Sequence, residues 1–199
     1  MNNITNIESL RHNTIDAVAA SRYPELSIEC KRLLDRALIG RKVDKGEIIL
    51  NEGDIARSIM FVAKGMVRQF YYKGKRDITE HFSYEGCVLT CIESFFNQEP
   101  TRIIVEAIEP SYIFELMYND IQRLVNESHE FNKFYRKLLE YSLIVSQQKA
   151  DSWRFETAKS RYINLMNNHP EIIKRAPMSQ IASFLLMSPE TLSRIRSDI

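Results

Sequence analysis

The sequence predicts an α+β chain: an N-terminal antiparallel β-roll or jelly roll, a long dimerisation helix, and a C-terminal helical unit of helix-turn-helix type. Three observations predict it. Five of the six glycines fall between Gly46 and Gly86, among short runs of β-branched and aromatic residues, as in a small antiparallel barrel whose turns need positive φ. Phe131, Phe134, Leu138, Tyr141 and Val145 recur at alternating intervals of three and four, the period of a helix that buries a stripe. Finally, Ser188-Pro189-Glu190 sets an N-cap hydroxyl, a first-position proline and a first-turn carboxylate in succession, which is a strong helix start.

Taken in order, residues up to about Leu38 read as helix, with Ile28, Leu33, Leu34 and Leu38 roughly on one face. At Val43 the period changes. Val43 to Asp54 is turn, strand, turn; Ile59 to Tyr72 is two strands hinged at Lys64-Gly65; Lys73-Gly74-Lys75 turns into a strand from Ile78 to Phe82. Arg102 to Ile108 and Tyr112 to Leu116 close the roll, and from Asn119 the chain is helical again. Tyr135, Leu139 and Leu143 form a second apolar stripe beside the first. One stripe can lie against the roll and the other needs a partner. Phe131, Phe134, Leu138, Tyr141 and Val145 are assigned to a seam with a second copy of the chain, with a wholly intramolecular core helix as the alternative. The chain then divides into an N-terminal helical segment (1–40), the roll (41–118), a central dimerisation helix region (119–150) and the helix-turn-helix unit (151–199).

Within that last unit, Ala176 to Arg196 reads as two short helices joined by a tight turn. Leu192 and Ile195 pin the second helix to Ile181, Ala182 and Leu185 of the first. Ser188, Pro189, Glu190, Thr191, Ser193, Arg194 and Arg196 are left pointing outward. Such a face suits the major groove of double-stranded DNA. Arg194 can fork onto guanine O6 and N7, and Glu190 can accept from cytosine N4. Ser188 and Thr191, with the helix amides, suit phosphate oxygens. The plainer roles are a favourable charge at the helix start for Glu190 and at the helix end for Arg196. Arg196, Lys174, Arg175 and Lys159 add salt-sensitive attraction. From Arg154 onward there are seven Lys/Arg against four Asp/Glu, while the remainder holds 20 basic and 22 acidic residues. A mildly basic tail on a mildly acidic body fits a phosphate-facing unit.

A hydrophobic content of 44% with 27% charged residues is that of a soluble globular protein. No apolar run has the length of a membrane span and the polar start is not a signal peptide, so no membrane partner is expected and the cytoplasm is the default location. Three scattered cysteines argue against a disulfide scaffold, and four separated histidines argue against a zinc site. A cupin-type metalloenzyme needs clustered histidines; Glu80-His81 is the only nearby pair in the roll. No enzyme and no certain cofactor are expected.

The succession of roll, long helix and terminal helix-turn-helix, with Lys45-Gly46-Glu47, Glu52-Gly53-Asp54, Phe61-Val62-Ala63-Lys64-Gly65-Met66-Val67-Arg68 and Ile181-Ala182-Ser183 through Ser188-Pro189-Glu190-Thr191-Leu192-Ser193-Arg194-Ile195-Arg196, resembles the CRP/FNR family of bacterial transcription regulators. The resemblance covers about Lys42 to the end. It implies a cyclic-nucleotide-binding-like roll, a dimerising central helix and a winged-helix DNA-binding domain. The implied partners are operator or promoter DNA, a second copy of the chain and RNA polymerase, with an unidentified small-molecule effector acting on the roll.

In nucleotide-binding members of that family, a glutamate at a short helix start holds the ribose, and an arginine followed by a hydroxyl residue holds the cyclic phosphate. The matching stretch here, Cys91 to Ile103, offers Glu93, Ser94, Thr101 and Arg102 as effector contacts. It lacks the glycine before the glutamate, and Ile103 replaces the hydroxyl residue, so cAMP held in the usual way is not expected. A structural ion pair or surface charges are the alternative for Glu93 and Arg102; Phe95 and Phe96 read as core. Cys87 and Cys91 read as buried inert thiols, with redox sensing as the alternative. Two features favour a second reading, a sensor or interaction protein with a degenerate helix-turn-helix that no longer binds DNA: Leu186 occupies the turn position where the family usually has glycine, and no β-wing is expected before Ile199. Pro189 stands where a guanine-reading arginine is common in the family, so base readout rests mainly on Arg194 and Glu190.

Overall fold

The computed structural model describes residues 2–198. Helix α1 (Asn2–Arg22) leads to α2 (Ile28–Ala37), whose start is capped by Ser27: its Oγ accepts from the Cys30 amide at 3.2 Å. The Ser27 amide in turn donates to the Glu130 carboxylate at 2.7 Å, tying this helix to one far along the chain. The helical segment expected up to about Leu38 forms as far as Ala37 and buries Leu34, but its expected face is kept only in part. Ile28 is exposed, and Leu38 opens strand β1 (Leu38–Val43). Within β1, a Cβ at Gly40 would meet the Tyr112 and Phe114 side chains of the strand paired with it.

The roll continues with β2 (Ile48–Leu50), β3 (Ser58–Lys64), β4 (Met66–Lys73), β5 (Arg76–Tyr84), β6 (Val88–Leu89), helix α3 (Ile92–Asn97), β7 (Ile104–Ala107) and β8 (Ser111–Met117). Two antiparallel four-stranded sheets, ordered β1-β8-β3-β6 and β2-β7-β4-β5, enclose a core that includes Phe61, Val67, Phe95, Val105 and Phe114. Gly65 turns β3 into β4 with φ at +90°, and a Cβ there would run into Ser111. The chain can hinge there only on glycine. Both faces of β4 are covered, so Arg68, buried at its centre, must be paired. Its guanidinium forks onto Asp77 at 2.6 and 2.8 Å and reaches Glu106 at 2.8 Å.

Beyond the roll, α4 (Tyr118–Glu127) breaks at Ser128, whose Oγ accepts from the Phe131 amide and so caps α5 (His129–Phe155). The central helix thus runs on past residue 150 to Phe155. Phe131, Phe134 and Leu138 lie in the core of the same chain, because α1 and α4 pack on this part of α5. Three of the five residues assigned to a dimer seam are therefore intramolecular. Of the other two, Val145 is half-buried and Tyr141 is exposed beneath the Arg22 guanidinium. The apolar side chains that α5 leaves open are Leu143, Ile144 and Phe155, which fall within one face by helical spacing.

The terminal unit comprises α6 (Ala158–Asn168), α7 (Pro170–Arg175), α8 (Met178–Phe184) and α9 (Pro189–Ser197). Tyr162, Leu165, Ile172, Ile181, Leu185 and Leu192 form its core, and Met66 and Phe82 of the roll complete it. Strand β5 is a sheet edge, and α8 covers it. The Ser183 hydroxyl accepts from the Thr79 amide at 2.9 Å and donates to the Asp77 carbonyl at 3.1 Å, and the Phe184 ring stands edge-on to Phe82. Among the described residues, no helix is long and apolar enough to cross a membrane.

Candidate functional site

The turn between α8 and α9 is closed by backbone hydrogen bonds. The Met187 amide donates to the Ala182 carbonyl and the Leu186 amide to the Ser183 carbonyl, each at 3.0 Å. This is the Schellman arrangement, and Leu186 occupies its left-handed position with φ at +51°. Arg161 braces the turn from α6, donating from Nε to the Leu185 carbonyl at 2.9 Å. A left-handed leucine costs about 1 kcal/mol where glycine costs nothing. The side chain is 47% exposed, so little burial offsets that cost. Leu186→Gly is therefore expected to stabilise the chain by about 1 kcal/mol, read as a higher urea midpoint. An unchanged or lower midpoint contradicts the strain.

Helix α9 begins as its sequence dictates. The Ser188 Oγ accepts from the Thr191 amide at 3.2 Å. Leu192 and Ile195 are buried, whereas Ser188, Pro189, Glu190, Ser193, Arg194 and Arg196 are exposed and Thr191 is half-buried. Hydrogen bonding to Ser188, then its own amide and the Arg194 charge, hold the Glu190 carboxyl below the usual carboxylate range. Arg194 forms no ion pair among the described residues. Arg196 lies back along α8, its Nη1 3.5 Å from the Met178 sulfur. One supporting cation is placed differently from the sequence reading. Arg175 faces the roll, bound to Glu85 at 2.8 Å and to Glu109, so it serves docking of the terminal unit rather than attraction of phosphate.

In the roll, Glu93, Ser94, Thr101 and Arg102 border one cavity of about 400 Å³ between the sheet and α3. They come together, but two have other duties. The buried Ser94 hydroxyl accepts from the Ala56 amide at 2.9 Å and donates to the Glu99 carbonyl. The Thr101 hydroxyl accepts from the Ile103 amide at 2.9 Å. Glu93 and Arg102 are exposed and not paired with each other. Phe95 is core, but Phe96 is 45% exposed because the short helix turns it outward.

The cavity's charge is of the wrong sign for a phosphate. Glu80, Glu93 and Glu99 border it against Arg102, and among the described residues only Glu80 of the three is compensated, by Lys149 at 2.9 Å. His81 adds no charge at neutral pH: burial first, then the nearby Lys149 charge, bring its pKa down to about 4. A cyclic phosphate there meets one arginine, two unpaired carboxylates and no free hydroxyl at Ser94, so these residues do not fit a cyclic nucleotide held in the usual way. Burial also pushes the Cys87 and Cys91 thiols up, which leaves them protonated and unreactive. The packing of α8 and α5 on β5 sets the roles of Ser183 and Lys149, and the flanking strands β5 and β7 set that of Arg68 through Asp77 and Glu106; no local motif specifies these partners.

Residues 40–128 match the sequence model of the cyclic nucleotide-binding domain. No curated protein matches the chain. Among solved structures, FixK2 from Bradyrhizobium japonicum superimposes with a TM-score of 0.66 at 18% identity, over 81% of this chain and 83% of that one. CLP, the c-di-GMP-responsive global regulator of Xanthomonas campestris, gives 0.65 at 15% identity, over 84% and 88%. A mutant of CooA from Carboxydothermus hydrogenoformans gives 0.63 at 17% identity, over 82% and 76%. At these identities the likeness is one of fold.

Proposed function

From the match of residues 40–128 to the cyclic nucleotide-binding domain model and the fold likeness, over most of the chain, to a putative transcriptional regulator of the CRP/FNR family, we propose that the protein is a homodimeric transcription regulator that binds double-stranded DNA through α9. The observation that carries this reading is the outward face of that helix. Its apolar side anchors on α8, while Ser188, Glu190, Ser193 and Arg194 are exposed on the opposite face, the one that would enter a groove. Leu186, the residue that favoured a degenerate motif, sits in a fully hydrogen-bonded turn.

Two copies pair along α5 through Leu143, Ile144 and Phe155, which presents two α9 helices to one duplex and alters the access of RNA polymerase to a promoter. The effector that acts through the roll is not a cyclic nucleotide held by Glu93 and Arg102. Fluorescence anisotropy on a duplex taken from upstream of the chain's own coding sequence tests the reading. Binding is expected to weaken steeply with salt. Arg194→Ala, at an exposed position, is expected to weaken it about 10- to 100-fold by removing the guanine contact. Absence of binding at low salt, or an Arg194→Ala variant that binds as wild type, overturns it.

A further inference from the structure

A second cavity, of about 230 Å³, adjoins the roll cavity where three parts of the molecule meet. Strands β5 and β6 supply Phe82 and Leu89, α5 supplies Leu138 and Val145, and the terminal unit supplies Ile172 and Phe184. The walls are chiefly apolar. The polar groups among them carry no charge near neutral pH, with one exception. His81 is neutral, with its pKa at about 4. His169 has its pKa lowered by burial and is hydrogen-bonded to the Tyr84 hydroxyl. The Cys87 thiol is protonated.

Arg22 is the exception, at the C-terminal end of α1. Its guanidinium lies 3.3 Å over the Tyr141 ring, and both side chains border the cavity. Among the described residues it has no carboxylate partner; its one hydrogen bond is to the Ser21 carbonyl at 3.3 Å. A lone cation beside an otherwise uncharged apolar cavity is complementary to an amphipathic monoanion.

We propose that this cavity binds a small aliphatic or aromatic carboxylate, its carboxylate on Arg22 and its apolar body between Leu138, Phe82 and Phe184. At roughly 30 Å³ per water-sized group, the cavity seats about eight heavy atoms, the carbons of an eight-carbon carboxylate, whose two oxygens then lie outside it against Arg22. The ligand touches the roll, the central helix and the terminal unit at once, so its binding holds the terminal unit in the docked position seen here. This site stands independently of the DNA-binding reading.

Octanoate serves as the probe, 1-octanol as its uncharged counterpart, and fluorescence of Trp153, the one tryptophan of the chain, as the readout. Trp153 stacks with Lys149, whose ammonium lies 5.6 Å from the Phe184 ring. Octanoate is expected to saturate the signal, to raise the thermal midpoint and to bind about tenfold more tightly than octanol. Arg22→Gln is expected to remove that preference while octanol binding stays the same. Ser142→Phe, which fills the cavity from a half-buried position on α5, is expected to abolish both. Should Ser142→Phe not fold, the contrast between wild type and Arg22→Gln still decides. Unsaturable octanoate binding, equal affinity for octanol, a preference that survives Arg22→Gln, or binding unaffected in a folded Ser142→Phe variant would each overturn the proposal.

Discussion

Replacing Leu143 and Ile144 together with glutamate is expected to yield a folded monomer that has lost operator binding at concentrations where the wild type binds. The two side chains are 72% and 55% exposed, so charging them disturbs no core. In a paired α5 the same carboxylates face an apolar partner surface and lose hydration without a counter-charge, which dissociates the pair. A monomer forfeits the second half-site, and with it an avidity gain of about 100-fold or more. Sedimentation equilibrium gives the mass, and thermal melting confirms that the fold is kept. A variant that remains dimeric places the seam elsewhere. Phe134→Glu or Leu138→Glu, the substitutions that periodicity alone recommends, have a different expected outcome. Both positions are buried within the chain, so charging them unfolds it.

Arg68→Ala is expected to cost about 3 kcal/mol of unfolding free energy, as breaking a buried ion pair by removing one partner does. The guanidinium is 6% exposed and serves both Asp77 and Glu106, which are themselves 36% and 21% exposed. Water can reach those carboxylates, which keeps the loss at the lower end of the range for buried pairs. The consequence extends to the terminal unit, because the Asp77 carbonyl and Thr79 amide that hold Ser183 lie on the strand Arg68 braces. Faster proteolysis between α5 and α6 accompanies the lower urea midpoint. A loss below about 1 kcal/mol would mean that the network contributes no more than a surface pair.

The parts legible in the sequence were those with a local physical cause. Gly65 and Gly74 mark hinges because positive φ is needed there. The start of α9 is written in Ser188 and Pro189 because capping is a contact between near neighbours. Features that depend on distant packing were not legible. The stripe from Phe131 to Leu138 announces burial but not the identity of its cover, and α1 and α4 provide it. Strand β6, two residues long, has no period to read. Glu93 and Arg102 do border one cavity, yet the hydroxyls of Ser94 and Thr101 are engaged by backbone groups that no motif specifies. Arg175 resembles a solvated cation until the fold sets Glu85 and Glu109 against it.

Hydroxyl-radical footprinting of the protein on its own upstream DNA tests the central claim most directly. Two patches of protection are expected, related by a two-fold axis and centred about 34 Å apart, one helical turn of the duplex, with both lost in Arg194→Ala. Protection of a single isolated patch, or none at low ionic strength, would contradict paired α9 helices reading successive grooves.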